Sequence, residues 1–186
     1  MLGADDVLVP EPRRVLVAGT TGVGKTTTAG RIGRALGIRH TEIDSIYHGP
    51  DWTPRESFLE EVEAYTSEPT WVTEWQYTLA RDMLAARADT LVWIDLPVPV
   101  ALWRLVRRTL RRRLRRTPLW NGNIEPPLWT FFTDPGHIVR WGIRVRHESR
   151  RRVPALVHTA PHLRIVHLRT QREVDRFVQH LAERRG

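Results

Sequence analysis

The chain has 186 residues, about one domain's worth, with 41% hydrophobic and 27% charged residues, which excludes a disordered or fibrous polymer. No apolar run approaches the roughly 18 residues needed to cross a bilayer, and residues 1–14 carry Asp5, Asp6, Glu11 and two prolines where a signal peptide would be apolar. The absence of cysteine excludes a disulfide scaffold, a thiolate zinc site and thiol catalysis. A single soluble, cytoplasmic domain over residues 1–186 is expected, with no membrane partner.

The net charge of +8 is unevenly spread. Residues 104–152 hold 14 Arg against Glu125, Asp134 and Glu148, a local +11, while the remainder sums to −3. Such polarity suits a phosphorylated ligand or nucleic acid, or marks a solvated arginine surface. Of 29 basic residues 28 are Arg, and the single lysine is Lys25. An ammonium is a compact point charge and a guanidinium a wide planar fork, so the exception marks a place that needs the former.

In chain order, Val15–Ala18 is a short β-branched run that reads as a buried strand. A glycine-rich turn over residues 19–24 leads into a predicted helix, Thr26–Leu36, stopped by Gly37. Ile38–Asp44 reads as a second strand. A helix over Pro54–Thr66 is expected, capped by Thr53 with Pro54 at its first position. Thr70–Glu74 is strand-like, Leu79–Ala88 helical, and Thr90–Asp95 a clear strand. Val98–Arg116 forms a helix with apolar Val98, Leu102, Leu105, Val106 and Leu110 opposite a cationic face. Thr117–Gly136 is rich in proline and reads as an irregular flap. Ile138–Arg152 is predicted helical, Leu163–Leu168 a strand, and Gln171–Arg184 a closing helix. Strands alternating with helices imply an α/β fold, a three-layer sandwich with a parallel sheet covered on both faces.

Gly19-Thr20-Thr21-Gly22-Val23-Gly24-Lys25-Thr26 satisfies G-x-x-x-x-G-K-[ST] between a strand and a helix, where a P-loop must lie. Its glycines let successive main-chain N–H groups turn toward phosphate oxygens, and the following helix adds its free N–H groups. The expected triphosphate-binding run is Gly19 through Lys25 together with Thr26 and Thr27. Lys25 would reach the β- and γ-phosphates and the Thr26 hydroxyl would ligate Mg²⁺. A guanine-reading Asn-Lys-x-Asp cannot exist beside a single lysine, and a large ATPase needs more chain. A small-molecule kinase using ATP and Mg²⁺ fits.

Further blocks give the chain a family likeness. They are Glu42-Ile43-Asp44 with Tyr47-His48 and Asp51-Trp52, Trp71 to Tyr77, Ala88 to Pro97, Arg104 to Arg113, and Leu119 to Glu125. With the P-loop these resemble the adenylate-kinase-related P-loop kinases, in particular bacterial proteins described as topology-modulation or adenylate-kinase-like. Glu74-Trp75 stands where that pattern has Asp-Gly, and Ile124 where it has a basic residue. The resemblance implies a P-loop NTPase fold of five parallel strands with an arginine-rich lid and flap at about 104–136. It also places Arg104 and Arg108 at the start of the lid, one near adenine and one near the transferring phosphates.

Asp44, at the end of the predicted second strand, is a candidate to orient an acceptor hydroxyl or help hold Mg²⁺, or else a turn residue. Glu74 on the next strand is the candidate for holding the metal through water, or else a surface acid. Asp95 reads as a turn and helix entrance. Arg104 and Arg108, four apart, share a helix face and can neutralise charge on a transferring phosphoryl group. Trp93 and Trp103 are expected in the core, while Trp52, Trp75 and Trp120 lie in loops by the cleft. Among the histidines, His48 is the one near Asp44. The reading is an ATP- and Mg²⁺-dependent phosphotransferase acting on a small acceptor such as a nucleotide or nucleoside. Two alternatives stand beside it: a nucleic-acid-binding regulator working through 104–152 with ATP as a switch, and a catalytically weakened ATP-binding relative.

Overall fold

A computed structural model of the chain describes residues 1–115, 117–124, 126, 129–133 and 137–184. Strand β1 (Arg14–Gly19) runs into the glycine turn and helix α1 (Lys25–Leu36). The short helix α2 (Ile43–Tyr47) and α3 (Phe58–Thr66) precede β2 (Trp71–Glu74). Then come α4 (Thr78–Arg87), β3 (Thr90–Ile94), the long α5 (Val98–Leu114) and the four-residue α6 (Thr130–Thr133). Helices α7 (Ile138–Arg144) and α8 (Glu148–Thr159) lead to β4 (Arg164–Leu168) and α9 (Gln171–Glu183).

The described strands form one parallel sheet in the order β2-β1-β3-β4. Alternation along β1 explains the layering. Val15 and Val17 join a core with Ala29 and Ile32 of α1 and Phe177 and Leu181 of α9. Leu16 and Ala18 join the opposite core with Leu84 of α4 and Val153 and Leu156 of α8. Both faces are therefore covered, as a parallel sheet requires, and each fully buried Leu or Val contributes about 1.5–3 kcal/mol. Helix α9 starts at a capping box in which Thr170 and Glu173 each bond the other's main chain, worth about 1 kcal/mol.

Four strands are present among the described residues, where five were expected. The segment Ile38–Asp44 makes a single bridge, His40 to Val72, with Val72 N–H donating to Arg39 O (3.1 Å) and Thr41 N–H to Val72 O (2.9 Å). The next rung is captured by a side chain: Ile43 N–H donates to Glu74 Oε2 at 3.0 Å. The ladder stops there and the chain winds into α2, so Asp44 sits in the first turn of a helix rather than at a strand end.

Three other expectations change. Helix α3 begins at Phe58, not Pro54, because Thr53 is spent on a tight turn. Its hydroxyl donates to Pro50 O (2.7 Å), and its carbonyl accepts from Gly49 N–H (2.7 Å). The helix expected over Ile138–Arg152 is two helices, broken over 145–147. Gly142 weakens the first, and Glu148 opens the second by placing negative charge at its positive end. Trp103 is 60% exposed rather than in the core, since α5 buries Ala101, Leu105 and Thr109 on one side and Trp103 lies on the other. Within the expected flap, a 3₁₀ turn at Trp120–Gly122 and α6 are ordered elements. Arg116, Glu125, Asp134 and Gly136 lie outside the described residues.

Candidate functional site

The glycine turn closes over the amino end of α1. Gly22 (φ 91°) and Gly24 (φ 95°) adopt a left-handed backbone that favours glycine. A Cβ on Gly22 would stand 2.2 Å from Ala101 O, so this glycine lets the loop pass under α5, whereas a Cβ on Gly24 would meet nothing within 4 Å. Lys25 reaches back across the loop and donates from Nζ to Thr20 O at 3.4 Å. The first turn of α1 has no acidic residue and no side-chain cap, which leaves its N–H groups and positive end for an anion. The buried Thr20 hydroxyl has no hydrogen-bond partner among the described residues. Thr26 is half-buried beside Lys25, and Thr27 is exposed.

Lys25 gathers the charged candidates. Burial pushes its ammonium below the ordinary lysine range, opposed by the carboxylates of Asp44 and Glu74 and assisted by the Arg108 guanidinium. Those three residues, dispersed through the sequence, thus lie within electrostatic reach of Lys25.

Glu74 ends β2 beside Val17 of β1 and is 1% exposed. Its Oε1 lies 3.0 Å from His40 Nε2, and its Oε2 accepts the Ile43 N–H at 3.0 Å. Burial raises the carboxyl's pKa, but the bonds from His40 and Ile43, with the Thr26 hydroxyl, outweigh that and leave it below the usual value. Glu74 is therefore a charged group next to Thr26. Among the described residues no cluster of three or more His, Cys, Asp or Glu could cage a metal. Two hard oxygens by a phosphate cradle, with phosphate and water left to complete the shell, are what Mg²⁺ takes, and the donor set fits it.

Asp44 accepts a hydrogen bond at Oδ1 from the Tyr77 hydroxyl (2.5 Å) and a short one from Gln76 Nε2. Burial pushes its carboxyl above the usual range, against the pull of Tyr77, Lys25 and His48. Tyr77 holds its place with φ 60°, ψ 113° at the start of α4, a strained backbone for a bulky residue. Burial and Asp44 push the phenol's pKa up, so it remains a donor. His48 Nε2 lies 3.1 Å from the same hydroxyl, and burial pushes the imidazole's pKa down. A relay His48–Tyr77–Asp44 results.

A second segment covers this group. Asn123, buried, donates to Gly49 O (2.8 Å) and accepts from Trp52 N–H (3.2 Å), and Asn121 donates to His48 O. Trp120 stacks on His48, with centroids 5.8 Å apart, and Trp52 meets both rings edge-on. Trp52 and Trp120, each in a 3₁₀ turn, lie together beside His48. Trp75 does not: it is 9% exposed, packs in the core with Leu84 and Trp93, and donates from Nε1 to Arg81 O at 3.1 Å.

The arginine pair divides. Arg104 donates to Gln171 Oε1 at 3.0 Å by the start of α9, while Arg108 acts on Lys25. Asp95, expected as a turn and helix entrance, anchors α8 through Arg150 (2.7 Å) and meets His167 (3.2 Å). Ile124 is exposed. Sequence reasoning left His40, Gln76, Tyr77, Asn121 and Asn123 without roles. Gln76, Tyr77, Asn121 and Asn123 fall within blocks that carry the family likeness, while His40 lies outside them.

No family model matches the chain, and no curated protein matches it. Solved structures do. A gluconokinase from Sinorhizobium meliloti 1021 is similar over 93% of this chain and 95% of its own, with 20% identity and a TM-score of 0.50. A shikimate kinase from Acinetobacter baumannii, in complex with shikimate, gives 14% identity, 92% and 91% coverage and a TM-score of 0.54. One from Bacteroides thetaiotaomicron gives 16%, 92% and 97%, and 0.50. The likeness is one of fold, an α/β architecture with a parallel sheet.

Proposed function

We propose that this chain is a small-molecule kinase that moves the γ-phosphoryl group of ATP to an acceptor held at Asp44. The observation that carries this reading is the glycine cradle closed by Lys25, which bonds back to Thr20 O and whose ammonium feels the carboxylates of Asp44 and Glu74 and the Arg108 guanidinium. The cradle amides and Lys25 bind the triphosphate, and Arg108 neutralises charge on the moving group. Thr26 and Glu74 hold Mg²⁺, which when bound supplies charge neutralisation on the phosphate oxygens. Asp44 accepts the acceptor's proton. Tyr77 and Gln76 fix the carboxylate's direction, so little reorganisation is needed on substrate binding. The strap of Asn121 and Asn123 holds Trp120 against His48 and Trp52 and excludes water from this side.

The acceptor is a nucleoside or nucleotide in this reading, as in adenylate-kinase-like enzymes, supported by flat rings at His48, Trp52 and Trp120 that suit a planar base. The fold neighbours named as gluconokinase and shikimate kinase argue for including small hydroxylated acids. The test is ADP release from ATP and Mg²⁺ across nucleosides, nucleoside monophosphates, sugar acids and shikimate. Stimulation by one class that Lys25→Ala abolishes is expected. Stimulation unchanged in that variant would refute the assignment.

A further inference from the structure

Helix α5 has two working faces. Ala101, Leu105 and Thr109 bury one side, where Ala101 and Leu105 pack over Gly22 of the cradle. Leu110, nine residues beyond Ala101, lies roughly 180° round the helix, on the side away from the cradle. There Trp103, Val106, Leu110 and Leu114 form a continuous exposed stripe, with Trp103 60% and Leu114 79% exposed. Arg107 and Arg111 border it, the former with its guanidinium 5.3 Å from the Trp103 ring centre.

We propose that this face docks on an anionic lipid bilayer, with α5 lying in the interfacial plane. The stripe has the composition that partitions there: a tryptophan and branched aliphatics along one line, with arginines beside them to meet lipid phosphates. Among the described residues, the shallow surface is lined by α5 and by Arg115 directly after it. With no second wall among the described residues, a partner helix has no groove to enter, whereas a planar surface fits. A second copy of the chain would bring the arginines of two α5 helices together. Nucleic acid would satisfy the arginines but bury the apolar line against phosphate. Among the described residues no helix is long and apolar enough to cross a membrane, so the association is peripheral.

The experiment is co-sedimentation of the full chain with vesicles of phosphatidylcholine alone or mixed with phosphatidylglycerol, at physiological salt. Binding to the mixed vesicles is expected, falling on the order of a hundredfold in Trp103→Ser/Leu110→Ser. Arg107→Gln/Arg111→Gln should lose roughly thirtyfold, at roughly fivefold for each charge. Circular dichroism of each variant verifies that it folds. Both pairs lie outside the proposed active site, so ADP release should be unchanged. Vesicle binding that survives Trp103→Ser/Leu110→Ser undiminished would reduce the effect to bulk charge and overturn the proposal. So would no binding to mixed vesicles, or a self-association seen by sedimentation velocity that the same variant abolishes.

Discussion

His40 holds Glu74: its Nε2 stands 3.0 Å from the buried Oε1. The ring reaches that position because α1 presents glycines to it. A Cβ on Gly33 would lie 3.3 Å from His40 Cβ and 2.7 Å from Ile38 O, and one on Gly30 would lie 3.5 Å from His40 Nδ1. His40→Ala removes a bond to a charged, buried acceptor. A loss of about 1.5–3 kcal/mol in urea unfolding is expected, with a lower kcat at saturating Mg²⁺. An unchanged midpoint and kcat would show that Glu74 needs no such support.

Asp44 illustrates a stability cost tied to function. Its folded-state pKa is raised, chiefly by burial, so the stability tied to its protonated form is complete below the ordinary carboxylate range. It is lost as pH rises through the raised value. Asp44→Asn keeps an acceptor for Tyr77 and Gln76 without the charge. Thermal melts should place this variant above the parent at neutral pH, with the gap closing as pH falls toward 4. Turnover should fall by about 10²–10⁴-fold.

The two left-handed glycines of the cradle should respond differently. Gly24→Ala meets open space and carries only backbone strain, about 1–2 kcal/mol. Gly22→Ala adds a clash with Ala101 O, which neither α5 nor the loop can relieve by a side-chain motion. Calorimetric melts of the two variants should rank Gly22→Ala as clearly the more destabilised.

Asn123→Ala leaves the Gly49 carbonyl and the Trp52 N–H without their partners, at about 1–3 kcal/mol of local stability. Because the strap bonds to His48, Gly49 and Trp52, beside the Asp44 relay, the KM for the acceptor should rise while that for ATP stays within about twofold. Steady-state kinetics with each substrate varied separately reads this split.

The glycine cradle and the strand–helix alternation were legible because both rest on local rules: a fixed spacing of glycines about Lys25, and apolar runs of strand length. The lost fifth strand was not, since its ladder ends on the side chain of Glu74, a contact across some thirty residues. Trp103 misled because a tryptophan in an amphipathic helix reads as core unless one knows that Ala101, Leu105 and Thr109 face inward. Trp75 misled in the opposite sense, looking like a loop residue yet completing the core beneath α4. Tyr77 is invisible to pattern reading, as its role depends on a positive φ that its residue type disfavours.

Titration calorimetry with a non-hydrolysable ATP analogue and Mg²⁺ tests the cradle itself. One site per chain is predicted, weakened at least tenfold by Lys25→Ala, whose melt should remain cooperative. No heat of binding to the folded parent chain, or equal affinity in the variant, would contradict the account.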